Sequence, residues 1–305
     1  MVLKIQGFKR RTQGEKSRDG YESSVEFGTY EGGEVAVKSR RYKRLVYNLY
    51  GKDNNSLTRL EANIMLTLKH NEHILQCLGV GQCEQDVTVD YRLSIVEQIN
   101  ITYGIYELMT GNMSELANQQ LSSLDKHNIA QQIYSGLQFL HTYNILHLNL
   151  KQSNILWTRN VVGYSNSDGG EQQPKYEYKI KLSDFGVPRL VTDERYEIGI
   201  YPPEIRCLKP YELHAYSQWS KSVDIWSYGL ILYRLMTFNL NYDDDDNEIT
   251  QHMLLMDTFH FTYFDTFMSI FRNPILPINL SLVNDQYRNI ITRCLLPYRG
   301  NVIPN

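Results

Sequence analysis

The chain has 305 residues, a net charge of −3 and 42% hydrophobic residues. That is enough apolar sequence for a sizeable core, and too little net charge to signal a nucleic-acid or membrane-surface partner. No apolar run approaches the roughly 18 residues that suggest a membrane span. The start MVLKIQGFKRRTQGEK has no hydrophobic signal-peptide core. Cys77, Cys83, Cys207 and Cys294 lack metal-binding spacing and read as reduced thiols. The expected location is the cytoplasm, with the nucleus compatible.

In chain order, residues 1–19 are basic and polar, a loose lead-in with one strand. Residues 20–38 alternate and carry Gly28, Gly32 and Gly33, which fits two strands joined by a turn. SRRYKRLVYNLYGKDNN at 39–55 is basic and then Asn-rich: a solvated loop, or a surface for an acidic or phosphorylated partner. From Glu61, EANIMLTLKHNEHI is apolar at helical spacing, and LSIVEQINITYGIYELM at 93–109 has strand character and ends at a hinge around Glu107–Met109. QLSSLDKHNIAQQIYSGLQFLHTYNI holds a long helix, followed by HLNLKQSNIL at 147–156. TRNVVGYSNSDGGEQQPKYEY at 158–178 reads as a mobile surface loop between two short strands. LSDFG follows at 182–186, and DIWSYGLILYRLM at 224–236 reads as a buried helix. NYDDDDNE at 241–248 lacks the alternating oxygen ligands and central glycine of a calcium loop. YRNIITRCLLPYR supplies the last helices, and no internal repeat is visible.

HLNLKQSNIL resembles the catalytic loop of eukaryotic protein kinases, HRDLKxxN. His147, Leu150, Lys151 and Asn154 fall where that pattern wants them; Leu148 stands for its arginine and Asn149 for its aspartate. VAVK at 35–38 is similar to the strand that presents the phosphate-binding lysine, and Glu61 to the C-helix glutamate that pairs with it. LSDFG and the segment from Asp224 complete the family's order. The leucine after His147 is similar to Mos-type kinases, which keep the aspartate; the unfolded-protein-sensor kinases and several pseudokinases share the GLQFLH…NILH pattern.

The resemblance implies an α+β bilobal protein-kinase fold filling residues 1–305. Its N-lobe, 1–109, is a small antiparallel sheet with one main helix, and its C-lobe, 110–305, is mainly helical. It implies ATP and Mg²⁺ as cofactors, with a protein partner or substrate. Lys38 then holds phosphate and Glu61 fixes Lys38. Gly20, Val25, Ala36, Glu107, Met109 and Leu156 line the nucleotide site, and Asn154 and Asp184 carry the metal. Lys151 addresses the transferred phosphate and points to the Ser/Thr branch. Met65, His147, Phe185 and Asp224 match the internal packing spine.

Three departures bear on the chemistry. An asparagine at 149 can accept a hydrogen bond but is no useful base. The phosphate-covering loop, GxGxxGxV in the family, reads RDGYESSV at 18–25 and keeps only Gly20. The segment DFGVPRLVTDERYEIGIYPPE, 184–204, is short, and Leu148 cannot answer a phosphorylated loop as arginine does. Three functions stay open: a pseudokinase that binds ATP and Mg²⁺ and acts as a signalling scaffold or allosteric partner; a weakly active or atypical Ser/Thr protein kinase; and a scaffold that binds no nucleotide.

Overall fold

The computed structural model describes residues 5–11, 18–19, 23–40, 54–90, 95–116, 119–166, 172–184, 189–190, 221–237 and 280–295. Two compact units divide the chain: Met1–Met109 with Asp184–Val187, and Thr110–Ser183 with Pro188–Asn305.

Alternating burial builds the sheet of the first unit. Its strands are β1 (Lys9–Arg10), β2 (Arg18–Asp19), β3 (Ser23–Tyr30), β4 (Gly33–Arg40), β5 (Cys77–Asp90) and β6 (Ile95–Glu107). They run in the order β1-β3-β4-β6-β5, with β2 beside β3, and every pairing is antiparallel. The lead-in thus supplies two short strands rather than one, and β5 is a further strand that the apolar pattern did not mark.

Opposed residues of antiparallel strands share a face. Val25, Lys38 and Gly104 are opposed in turn, as are Ala36 and Tyr106, so these five lie on one face. The other face carries Val35, Val37, Ile101, Tyr103 and Ile105, all buried with Ile5 and with Phe8 and Tyr30 packed against them. Helix α1 (Asn54–Thr67) begins seven residues before Glu61, which lies in its interior. Thr58, Glu61, Ala62, Met65 and the following Leu68 are buried at three- and four-residue spacing. The Asn55 carboxamide anchors the helix start by donating to Asn100 O and accepting from Thr102 N, both at 2.7 Å.

The second unit holds β7 (Gly111–Asn112), α2 (Met113–Leu116), α3 (Ser123–Thr142), β8 (Ile145–Leu146), β9 (Ile155–Asn166), β10 (Gln172–Leu182), β11 (Arg189–Leu190), α4 (Lys221–Met236) and α5 (Asp285–Cys294). A reciprocal cap starts α3: Ser122 Oγ accepts from Asp125 N at 3.1 Å, and Asp125 Oδ2 accepts from Ser122 N at 2.9 Å. Ile129, Ile133, Leu137 and Leu140 form its buried stripe. α4 packs against α3 and α5. Gly229 permits the second contact, because a Cβ there would lie 2.7 Å from the Cys294 Cβ.

The stretch 158–178 is a correction to the sequence reading. It is the body of a long hairpin, with β9 and β10 paired from Ile155↔Leu182 to Asn166↔Gln172 and one register shift. The alternation of Tyr176, Tyr178 and Ile180 gives β10 a partly buried face at its base, and α3 packs there. Low-complexity composition concealed this period-2 signal. The runs at 41–53 and 241–248 and most of the 184–204 segment lie outside the described residues.

One buried carboxylate organises the polar interior of the second unit. Asp224, in the first turn of α4, is 1% exposed. It accepts from His141 Nε2, His147 N and Leu148 N, each at 2.9 Å. Burial pushes its carboxyl up, but the His141 hydrogen bond, the nearby histidines and the main-chain donor outweigh this and hold it below its ordinary value of 3.8. A depressed folded pKa contributes stability above the unfolded pKa and loses it as pH falls through the folded one. Asp224→Asn leaves one buried donor short of an acceptor and should cost about 1–3 kcal/mol near neutral pH. The gap from wild type, read from urea midpoints, should be constant above about pH 5 and narrow on acidification below 3.8.

Gly104 gives a second test. A Cβ there would collide with the Tyr106 hydroxyl, because the Tyr106 ring lies across this glycine. Gly104→Ala should destabilise by about 1–3 kcal/mol through overpacking. Tyr106→Leu in the same chain should recover part of the loss in a thermal double-mutant cycle.

Candidate functional site

In the first unit, strand alternation sets Lys38 opposite the apolar core face, with α1 packed against β4. Its ammonium donates to Glu61 Oε1 at 2.8 Å and also to Asp184 Oδ1. Glu61 is 2% exposed, so its carboxylate is engaged by this partner rather than by bulk water. Asp184 has φ +64°, a left-handed backbone that a non-glycine residue adopts at some cost. Val25 and Ala36 share the Lys38 face, and so does Tyr106, which the sequence reading missed. The signal for Tyr106 was a glycine two residues before an aromatic on one strand, the pattern in which a ring covers a bare glycine.

Glu107 and Met109 end this unit. Glu107 Oε1 accepts from Gln76 N at 2.6 Å, and Glu107 N donates to Gln76 O at 3.1 Å. That carboxylate is thus engaged with the chain before β5. Gly20 and Phe185 lie outside the described residues. β2 and β3 do pair on either side of Gly20, with Arg18 opposite Val25.

In the second unit, the segment from His147 to Asn154 is ordered through its main chain. Leu148 has φ +59° and is 4% exposed. A left-handed leucine costs roughly 1–2 kcal/mol, and the bond from its N–H to Asp224 offsets that cost. Asn149 N donates to His147 Nδ1 at 3.3 Å. Asn154 Nδ2 donates to Asn149 O at 2.7 Å, which turns the carboxamide oxygen of Asn154 away from that contact. Asn154 O in turn accepts from Ser183 N and Ser183 Oγ, each at 2.9 Å, and Ser183 precedes Asp184 in the chain. Lys151 stands just before the 3₁₀ turn Gln152–Asn154 and is partly exposed, while Leu156 follows on β9.

In the first unit, an ammonium held by two carboxylates suits a phosphate, and Asp184 is a hard oxygen donor of the kind magnesium takes. In the second unit, by itself, the Asn154 carboxamide is oriented through its nitrogen. Hard oxygen ligands in small number suit magnesium that keeps phosphate and water in its shell. Among the described residues no group of three or more His, Cys, Asp and Glu side chains could hold a metal by itself. No helix among them is long and apolar enough to cross a membrane.

Comparison with known proteins agrees with this geometry. The family model described as protein kinase domain matches residues 23–297. A probable serine/threonine-protein kinase of Dictyostelium discoideum is 25% identical over 276 residues, 90% of this chain and 17% of its own length. Serine/threonine-protein kinase STY46 of Arabidopsis thaliana is 28% identical over 236 residues, 75% of this chain and 34% of its own. A meiosis induction protein kinase of Saccharomyces cerevisiae is 25% identical over 243 residues, 79% of this chain and 34% of its own. The chain therefore spans about a third or less of the length of these relatives. The kinase-like loop, the Lys38–Glu61–Asp184 ion group and the match over nearly the whole chain together place this chain in the protein kinase family.

Proposed function

We propose that the chain is a pseudokinase, a protein kinase domain that binds ATP with Mg²⁺ and serves as a nucleotide-responsive scaffold or allosteric partner. One observation carries the reading: asparagine stands at 149 in an otherwise ordered catalytic loop, while Lys38, Glu61 and Asp184 keep their ion pairs. Lys38 takes the phosphate-binding role, aimed by Glu61. Asp184 and Asn154 are assigned the metal. Val25, Ala36, Glu107, Met109 and Leu156 are assigned to the base and sugar. When bound, the nucleotide and its metal supply the transferable phosphoryl group and neutralise its charge. Lys151 would address that group.

Asn149 is where transfer falters. It can orient a hydroxyl by accepting its hydrogen bond, but it cannot take up the proton. General-base catalysis contributes roughly 10²–10⁴-fold, and kinases turn over about 1–100 times per second. Losing the base leaves roughly 10⁻⁴ to 1 per second on those figures. The alternative, a weakly active Ser/Thr protein kinase, draws support from the Ser/Thr kinases among the relatives and from Lys151.

Mg-ATP at about 100 times its dissociation constant should stabilise the chain by roughly 2.7 kcal/mol, read as a rise in melting temperature. Lys38→Ala should remove most of the shift. Asp184→Asn should reduce it more for Mg-ATP than for ATP alone. No shift at several-millimolar Mg-ATP would leave a scaffold without nucleotide as the function.

The phosphoryl-transfer assay separates the other two readings. Wild type should transfer phosphate to itself or to an added protein far below ordinary kinase rates, and Asn149→Asp should raise the rate by about 10²-fold or more. An ordinary rate in wild type, unchanged in Asn149→Asp, would overturn the pseudokinase reading.

A further inference from the structure

Residues 5–11 precede the stretch that matches the kinase family, yet they are built into the sheet of the first unit. Phe8 N donates to Ile5 O at 3.2 Å, and Gly7, third in this four-residue turn, has φ +80°. That is the conformation a type II turn asks of glycine. The turn delivers both its ends to one place. Ile5 is 8% exposed within the cluster of Val35, Val37, Ile101, Tyr103 and Ile105, and Phe8 packs against that cluster. Gly28 on β3 is the seat: a Cβ there would collide with Lys9 O and lie 2.6 Å from the Phe8 ring. β1 then runs along β3, with Lys9 opposite Thr29 and Arg10 opposite Gly28, and Arg11 N donates to Phe27 O at 2.9 Å. The Arg11 guanidinium reaches Glu34 on β4, and Arg10 Nε lies 4.0 Å from Glu26 Oε2.

This strap and Lys38 use opposite faces of the same two strands. Successive residues of a strand alternate between faces. On β4, Val35 and Val37 lie on the strap side, and Ala36 and Lys38 lie on the other. On β3, Glu26 and Gly28 lie on the strap side, and Val25 lies with Lys38. A displacement of Val37 therefore moves Lys38, its neighbour in the chain. The edge of β3 is shared as well. β1 takes Gly28 and Thr29 of that edge, and β2 takes Ser24 and Val25.

The strap is also suited to release. It lies at the sheet edge, with two ladder pairs and two apolar anchors, and Lys9 and Arg10 are exposed. Segments with few buried contacts open at lower free energy than the core they cover.

We propose that Ile5–Arg11 is a conformational strap that sets the affinity of the Lys38 face for nucleotide. Docked, it holds β3 and β4 in the arrangement that presents Val25 and Lys38. Released, it leaves Val35 and Val37 uncovered and that arrangement unsupported. The proposal rests on the nucleotide-binding reading above. Coupling of this kind is reciprocal: the factor by which release weakens nucleotide binding is the factor by which bound nucleotide suppresses release.

Lys9, Arg10 and Arg11 make the released strap a substrate for trypsin. Limited proteolysis of the full chain, followed by mass, therefore reports the released population when opening and closing outpace cleavage. Calorimetry gives the Mg-ATP affinity alongside. In wild type, saturating Mg-ATP should slow cleavage after residues 9–11 by about 5-fold or more. Gly28→Ala, which excludes the strap, should speed that cleavage and weaken Mg-ATP binding by about the factor of protection seen in wild type. Phe8→Ala, which removes one anchor, should do both to a lesser degree. The wild-type arm stands even where a variant does not fold. A wild type that binds Mg-ATP with no change in strap cleavage overturns the strap and leaves the nucleotide reading standing. So do variants whose strap is cut faster at unchanged Mg-ATP affinity, the result expected of a merely structural cover. A wild type that binds no Mg-ATP overturns both.

Discussion

The buried carboxylate of Asp224 is the constraint on which the second unit depends. It lies in the first turn of α4, where a helix favours negative charge. It ties α4 to two neighbouring segments distant from it in sequence: the end of α3 through His141, and the loop through the main chain at 147 and 148. A charge 1% exposed is tolerated in such a place only when its oxygens are fully engaged. Here the donors are two loop amides and an imidazole, so the requirement of the charge becomes a specification of the loop. Leu148 adopts its left-handed conformation because the alternative would strand both its own amide and the carboxylate.

A second device recurs in both units. Asn55 in α1 and Gln132 in α3 each use one carboxamide to satisfy a C=O and an N–H two residues apart on a neighbouring strand. The group imitates a missing strand for one repeat of the ladder. It fastens a helix to a sheet at a defined register, which apolar packing alone does not do. In the first unit this fixes α1, and with it Glu61, against the strand next to the one carrying Lys38. In the second it closes the base of β10.

Much of this was legible in the sequence because strong periodicity and motif order coincide. VAVK, the apolar spacing around Glu61, HLNLKQSN and the helix from Asp224 all appear as the elements they suggest. The misses have physical causes. α1 starts at Asn54 because Asn55 finds its partners on β6, a tertiary contact that local spacing cannot reveal. The stretch 158–178 looked like a loop because polar and glycine-rich residues mask alternation, yet β10 alternates where α3 covers it. Tyr106 went unnoticed because its role is to cover Gly104, a relation between two strand residues rather than a property of either.

The same reasoning explains how asparagine at 149 can coexist with an ordered loop. The bonds that shape this stretch pass through the main chain at 149: its N–H reaches His147, and its carbonyl receives the amide of Asn154. Neither bond depends on whether the side chain is a carboxylate or a carboxamide, and the two are nearly the same size. The loop is therefore almost blind to whether residue 149 is an asparagine or an aspartate. Lys38 and Asp224 are different, since removing either leaves a buried or half-buried carboxylate without its counter-charge or loop amides without an acceptor. Structural demand keeps the frame and the ion group together, whereas only chemistry demands an aspartate at 149. The order of this loop thus rests on its main chain and on Asp224, and places no demand of its own on a carboxylate at 149.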